Sequence, residues 1–162
     1  MSDLAVHFSS ARADWATPWW LVHRCAGYFC LTFDLDVCAT VENAKAPRFW
    51  TPEDDALTRP WRGNCWLNPP YGREIGKWTA YAAQEAQRGA NIVCLLPART
   101  DTAWWHDDVV SAASAILFLR GRLRFEGAPH SAPFPSAIAY MPAGGCSIKG
   151  HATHYVDWRS RP

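Results

Sequence analysis

The sequence predicts an α/β fold of three layers, with a mainly parallel sheet between helices. Three observations predict it. Short apolar runs such as Ile92-Val93-Cys94-Leu95-Leu96 read as strands buried on both faces. Such runs alternate along the chain with segments of helical period. With 162 residues, 49% of them hydrophobic and 19% charged, the chain is the size of one domain that can bury a core.

Residues 1–13 show no period and read as a loose arm. Thr17-Pro18 is a helix start, a capping hydroxyl before a proline at the first helical position. That helix runs through Trp19, Leu21, Val22 and Cys25 to a stop near Gly27. Tyr28 to Asp36 follows as a buried strand ending in the acidic pair Asp34 and Asp36. Val37 to Asp55, with prolines at 47 and 52, is mostly loop. Cys65 to Leu67 is a strand, and Ile75 to Arg88 a helix stopped by Gly89. Asn91 to Leu96 is a strand, and Asp101 caps a helix through Trp104, Trp105 and Val109. Ala115 to Leu119 and Ser136 to Met141 are further strands. From Gly144 the chain turns Gly-rich, then basic, and reads as a mobile tail. The expected organisation is an arm (1–13), a catalytic domain (14–143) and a tail (144–162).

Composition narrows the function classes. A net charge of +1 argues against a large non-specific nucleic-acid surface but leaves room for a local basic patch. The six cysteines form no C-x-x-C pair and several sit in apolar runs, as buried thiols of a reducing compartment do. The start Met1-Ser2-Asp3-Leu4 has no signal-peptide character, and no apolar run reaches membrane-spanning length. The expectation is a soluble, cytoplasmic protein. Ten tryptophans are more than a core of this size needs, and suit a protein that stacks on flat ligands.

Asn68-Pro69-Pro70-Tyr71 carries the chemistry. An exocyclic amine conjugated to a ring is a poor nucleophile because its lone pair is delocalised. Two acceptors converging on its hydrogens localise that pair. Asn68 can supply a side-chain carbonyl and Pro69 a backbone carbonyl. Both prolines fix φ and remove N–H donors. Tyr71 offers a flat face to a planar substrate. The tetrapeptide follows a strand, and ligands of open α/β sheets bind beyond the carboxyl ends of strands. Asp34 and Asp36 are placed at a neighbouring strand end, giving the layout of a two-substrate transferase.

These residues resemble the phage-type DNA N-6-adenine methyltransferases, from about Asp14 to Tyr140. The resemblance is carried by the order of several pieces: Asp14-Trp15-Ala16-Thr17-Pro18, Phe33-Asp34-Leu35-Asp36-Val37-Cys38-Ala39, Asn43-Ala44-Lys45 and Asp54-Asp55-Ala56-Leu57 with Trp61. Asn68-Pro69-Pro70-Tyr71, Leu96-Pro97-Ala98-Arg99-Thr100-Asp101 and Gly121-Arg122-Leu123-Arg124-Phe125 complete it. It implies a Rossmann-like methyltransferase fold, abbreviated, with no separate target-recognition domain. It implies S-adenosylmethionine as cofactor, double-stranded DNA as partner, and a base swung out of the duplex. Asn68, Pro69, Pro70 and Tyr71 are then catalytic. Trp15, Thr17 and Pro18 lie near the cofactor's methionine end. Asp34, Asp36, Cys38 and Ala39 hold the cofactor in the manner of the family's Asp-Pro-Phe-Ala segment, although Thr40 stands where a glycine is usual. Asp55 and Ala56 grip the cofactor's adenine.

Arg120, Arg122 and Arg124 alternate with apolar or small residues, which on a strand puts three guanidiniums on one face. They are assigned to nucleic acid, together with Arg73 and Arg99. Cys146, His151 and His154 lack a fourth, suitably spaced ligand, so no metal is expected. Two other readings use the same residues. One is methylation of a different planar amine, such as an RNA adenine or a protein glutamine. The other is a non-catalytic nucleic-acid-binding module on the same scaffold.

Overall fold

The structure is a computed structural model, and it describes residues 15–146 and 152–158. Its strands are β1 (Leu35–Asp36), β2 (Arg48–Phe49), β3 (Asn64–Leu67), β4 (Asn91–Pro97), β5 (Ala115–Leu119), β6 (Ser136–Met141) and β7 (Ala152–Val156). They form one seven-stranded sheet in the order β2-β1-β3-β4-β6-β5-β7. Two α-helices, α1 (Trp19–Phe29) and α2 (Ile75–Gln87), and a π-helical segment (Trp105–Val110) cover it.

Side chains alternate across a strand, and that alternation sorts the core into two halves. Cys65, Leu67, Ile92, Cys94 and Leu96 pack with Ala82 and Ala86 of α2 and with Trp105 and Val109. Trp66, Val93, Leu95, Leu117 and Ile138 face the other way, onto Leu21, Val22 and Cys25 of α1. The two α-helices therefore lie on opposite faces of the sheet.

The sheet is mixed, which corrects the expectation of a mainly parallel one. β2, β1, β3 and β4 pair in parallel, but β6 runs against both of its neighbours, β4 and β5. The cause is the connection: β5 ends and β6 begins at the same edge, so the chain must return antiparallel. The mobile tail is corrected as well. Residues 152–156 form β7, which pairs in parallel with all of β5.

Local expectations shift for identifiable reasons. The side chain of Thr17 does not cap α1; the N–H of Trp19 donates instead to Glu126 Oε1 at 3.1 Å, more than a hundred residues away in sequence. The helix passes Gly27 and ends at Cys30, whose φ of 54° is left-handed. Phe29 lies 4.8 Å from the ring of Tyr140, and this contact rewards the extra helical turn. The expected strand from Tyr28 therefore shrinks to Leu35–Asp36. The helical stretch begins at Ala103, and no side chain caps its π-helical part at Trp104.

Candidate active site

Register brings the site together. β1 and β3 are aligned with Leu35 opposite Cys65 and Asp36 opposite Trp66. With a period of two, Asp36, Trp66 and Asn68 project from the face that α1 covers, while Cys38, past the end of β1, packs against the other half of the core. The N–H of Val37 donates to the carbonyl of Trp66 at 3.0 Å, which carries the pairing to the carboxyl edge of both strands. The segment leading into α1 crosses this edge. It is held by Trp15, whose ring meets Phe125 at 4.7 Å and Phe134 at 5.7 Å.

Between these elements lies a cavity of about 20 Å³ lined by Trp15, Ala16, Thr17, Asp36, Cys38, Asn43, Lys45, Trp66 and Asn68. Asn68 is fixed in one orientation. Its Nδ2 donates to the carbonyl of Trp15 at 2.6 Å and to Thr17 Oγ1 at 3.1 Å. A carbonyl can only accept, so the amide nitrogen must point at Trp15 and the amide oxygen away from it. That oxygen, Asn68 Oδ1, is buried and has no hydrogen-bond partner. A buried polar atom without a partner costs about 1–3 kcal/mol, and such atoms concentrate where a ligand completes the site.

Asp36 is buried, and its two oxygens accept from the N–H of Cys38 at 3.2 Å and of Lys45 at 2.9 Å. Burial pushes its carboxyl from an ordinary 3.8 up to about 7, against the opposing pull of those two N–H groups and the Lys45 charge. Burial and the neighbouring Asp36 raise the Cys38 thiol to about 12, so it is a poor nucleophile. Lys45 Nζ reaches Glu126 Oε2 at 3.1 Å and lies 4.6 Å from the Trp19 ring centre. Glu126 thus ties the α1 start to the cavity wall.

The rest of the tetrapeptide is rigid. Pro69 is buried, and the Tyr71 hydroxyl donates to the carbonyl of Leu95 at 3.2 Å. The Tyr71 ring is half-buried and packs edge-to-face on Phe125 and Phe134. Burial pushes its hydroxyl well above the usual tyrosine range, so it stays protonated.

The other expected residues scatter. Pro18 is buried at the α1 start, where its carbonyl accepts from Leu21, and Ala39 donates its N–H to Trp50 at 3.0 Å. Asp34 is not at a carboxyl end. It precedes β1 and accepts from the N–H of Asn64 at 2.8 Å, at the opposite edge from Asn68. Asp55 is exposed, with a left-handed φ of 51°, and the Ala56 carbonyl accepts from the Trp61 indole at 3.0 Å; neither lines the cavity. Arg73, Arg99, Arg120, Arg122 and Arg124 are exposed, and follow the carboxyl ends of β3, β4 and β5. The arginine strand itself is corrected: β5 stops at Leu119, and Gly121 takes a φ of 80°. Arg120 pairs with Asp157 at 3.1 Å, and Arg124 Nε donates to the Ala128 carbonyl at 3.1 Å. Leu123 and Phe125 are buried between them.

Among the described residues, no group of three His, Cys, Asp or Glu could hold a metal, and no helix is long and apolar enough to cross a membrane. His151 lies outside the described residues. Sequence reasoning missed roles for Trp66 and Glu126, and gave Asn43 and Lys45 only as landmarks. For Trp66 a signal existed: it precedes Asn68 by two, so it shares that residue's face.

Comparison with known proteins bears on this site. A family described as DNA N-6-adenine-methyltransferase (Dam) matches residues 6–139. A Haemophilus phage HP1 (strain HP1c1) protein named DNA N-6-adenine-methyltransferase is 37% identical over 112 residues, 68% of this chain and 65% of that one. An Escherichia phage T1 protein of the same name is 34% identical over 109 residues, 66% of this chain and 45% of that one. The matched stretch therefore spans just under two thirds of the first relative's length and under half of the second's.

Proposed function

We propose that this chain, which belongs to the DNA N-6-adenine-methyltransferase (Dam) family, methylates the N-6 amine of adenine in double-stranded DNA, using S-adenosylmethionine on a Rossmann-like methyltransferase scaffold. One observation carries the reading: Asn68 Oδ1 is a buried acceptor without a partner, aimed by the bonds its own amide nitrogen makes to Trp15 and Thr17. An amine that donates to this oxygen and to the Pro69 carbonyl has its lone pair drawn back onto nitrogen. Asn68 is paid for in stability and repaid in substrate binding.

The acceptor adenine must leave the duplex stack to reach this corner. Tyr71 lies beside it, braced by its bond to Leu95 and by Phe125 and Phe134, and forms a wall for the base. Arg73, Arg99, Arg122 and Arg124 face the phosphates from the loops after the strands. The cavity suits the methyl donor: Asp36 offers a carboxylate to a cationic ligand, beside polar atoms of both senses. Trp15, Thr17, Asp36 and Cys38 would hold it. When bound, S-adenosylmethionine would supply a methyl group on a sulfonium leaving group to the amine nitrogen. Catalysis by the chain itself is positioning and lone-pair localisation. The proton of the methylated nitrogen leaves to solvent. In this reading residues 14–143 form the catalytic domain and act in the cytoplasm, and residues 152–156 of the following segment add β7 to the sheet.

The test is transfer of a labelled methyl group by purified protein to duplex DNA, RNA and a glutamine peptide. Label on the N-6 amine of DNA adenine, lost in Asn68→Ala, is expected. Label on RNA or glutamine alone would overturn the DNA acceptor, and no label anywhere would overturn the reaction.

A further inference from the structure

Two unpartnered buried polar atoms belong to residues lining the cavity, and Proposed function uses only one. Trp66 lines it too, is 1% exposed, and its Nε1 has no hydrogen-bond partner. An indole N–H can only donate. Of the acceptors on the wall, Asp36 takes the N–H groups of Cys38 and Lys45 and Thr17 Oγ1 takes Asn68, while Asn68 Oδ1, itself without a partner, does not accept from this N–H either. Lys45 stands on the same wall, with a buried side chain whose ammonium spends one proton on Glu126. The cavity wall thus carries an acid, an ammonium and an idle N–H donor.

Size restricts what enters. About 20 Å³ is on the order of one small group, so this cavity receives the end of a ligand and not its body. We infer that Trp66 and Lys45 form a carboxylate-binding end of the site, holding the amino-acid terminus of the methyl donor as a zwitterion against Asp36. This deepens the methyl-donor reading and rests on it. A hydrogen bond from a neutral donor to a buried carboxylate is charge-assisted, and a second donor of full charge adds to it. Trp66 is accordingly a ligand-binding residue and not only core. Its position is set by the register that places it opposite Asp36.

The experiment compares two ligands on two proteins. Calorimetry measures binding of S-adenosylmethionine and of its decarboxylated form to the wild type and to Trp66→Phe, which keeps an aromatic ring there and removes the N–H. The variant is expected to lose about tenfold in affinity for S-adenosylmethionine and nothing for the decarboxylated ligand. Equal losses for both ligands, or none for either, would overturn the inference and leave Trp66 a packing residue. Should Trp66→Phe fold poorly, the wild type labelled with ¹⁵N-tryptophan gives the same answer. The Trp66 indole resonance should move downfield with S-adenosylmethionine and stay put with the decarboxylated form; identical behaviour with both would overturn it. Failure of the wild type to bind S-adenosylmethionine at all would sink the methyl-donor reading as well, which distinguishes the two failures.

Discussion

The two edges of the same three strands use similar residues to opposite ends. At the amino edge, Asp34, Asn64 and Asn91 lie side by side across β1, β3 and β4. Their polar atoms saturate one another. Asp34 accepts from the Asn64 N–H, Asn64 Nδ2 donates to the Thr32 carbonyl at 2.9 Å, and Asn91 Nδ2 donates to Asn64 Oδ1 at 3.0 Å. Asn91 Oδ1 accepts from the Tyr140 hydroxyl at 3.1 Å and from the Ala143 N–H at 2.9 Å. At the carboxyl edge, Asp36, Trp66 and Asn68 surround a cavity, and Trp66 Nε1 and Asn68 Oδ1 have no partner. A closed polar network holds the sheet together, whereas an open one waits for a ligand. Sequence type does not distinguish an acid or amide of one edge from the other; the company it keeps does.

The sharpest way to break the comparison is to delete one amide at each edge. Asn68→Ala should lower methyl transfer by about a hundredfold or more, as loss of one preorganised polar contact does in other sites, with a melting temperature near that of the wild type. Asn91→Ala should do the reverse. It removes three hydrogen bonds and leaves Tyr140 short of a partner, so denaturant unfolding should show a loss of about 1–3 kcal/mol, with the rate per folded molecule kept. If Asn91→Ala instead abolished transfer without destabilising the fold, the division between edges would be wrong.

Asp36 sharpens the contrast through pH. Its folded pKa of about 7 lies above the ordinary 3.8, so between those values the native state holds a proton that the unfolded chain has lost. Stability from this group is full below pH 3.8 and drains away as pH rises to about 7. Asp36→Asn should flatten that stretch of the stability–pH profile and leave the free protein more stable at pH 8 by on the order of a few kcal/mol, while weakening binding of the methyl donor. A profile with unchanged slope would place the buried proton elsewhere.

Gly63→Ala tests the closed edge by steric means. The added Cβ would meet Asp34 Oδ2 at 2.5 Å, in a backbone already at a φ of 77°. A loss of about 1–3 kcal/mol in stability with unaltered affinity for the methyl donor is expected. The smallest effect is at Arg122. Arg122→Ala should weaken DNA binding evenly across sequences and reduce the salt dependence of binding by about one unit of slope, measured by titration at several salt concentrations.

Much of this was legible in the chain because some elements carry their own signal. Asn91–Leu96, Ala115–Leu119 and Ser136–Met141 are unbroken apolar runs, and each is found as a strand within a residue of those bounds. Ile75–Arg88 has the spacing of a helix and a glycine to end it, and α2 matches. The two-residue strands β1 and β2 exist because β3 offers an edge to β1 and β1 in turn to β2, which no local pattern records. β7 is exposed at four of its five positions, so burial cannot announce it. The same division holds at the site. Asn68 and its prolines are contiguous and could be found; the carbonyl and hydroxyl that aim Asn68 lie more than fifty residues earlier, as Trp15 and Thr17. Asp34 misled because an acid two residues from Asp36 looks equivalent until the strand's direction is known.

The reversal of β6 has a consequence for how such a protein could change. Since β5 hands over to β6 without leaving the carboxyl edge, residues 120–135 form an excursion anchored at both feet on the sheet. That excursion carries Phe125 and Phe134 against Trp15 and Tyr71. It also carries Glu126, which takes the Trp19 N–H and the Lys45 ammonium, and it buries Leu123 and Ala132 in the core. One loop thus couples the start of α1, the cavity wall and the Tyr71 corner, so a change within it reaches all three.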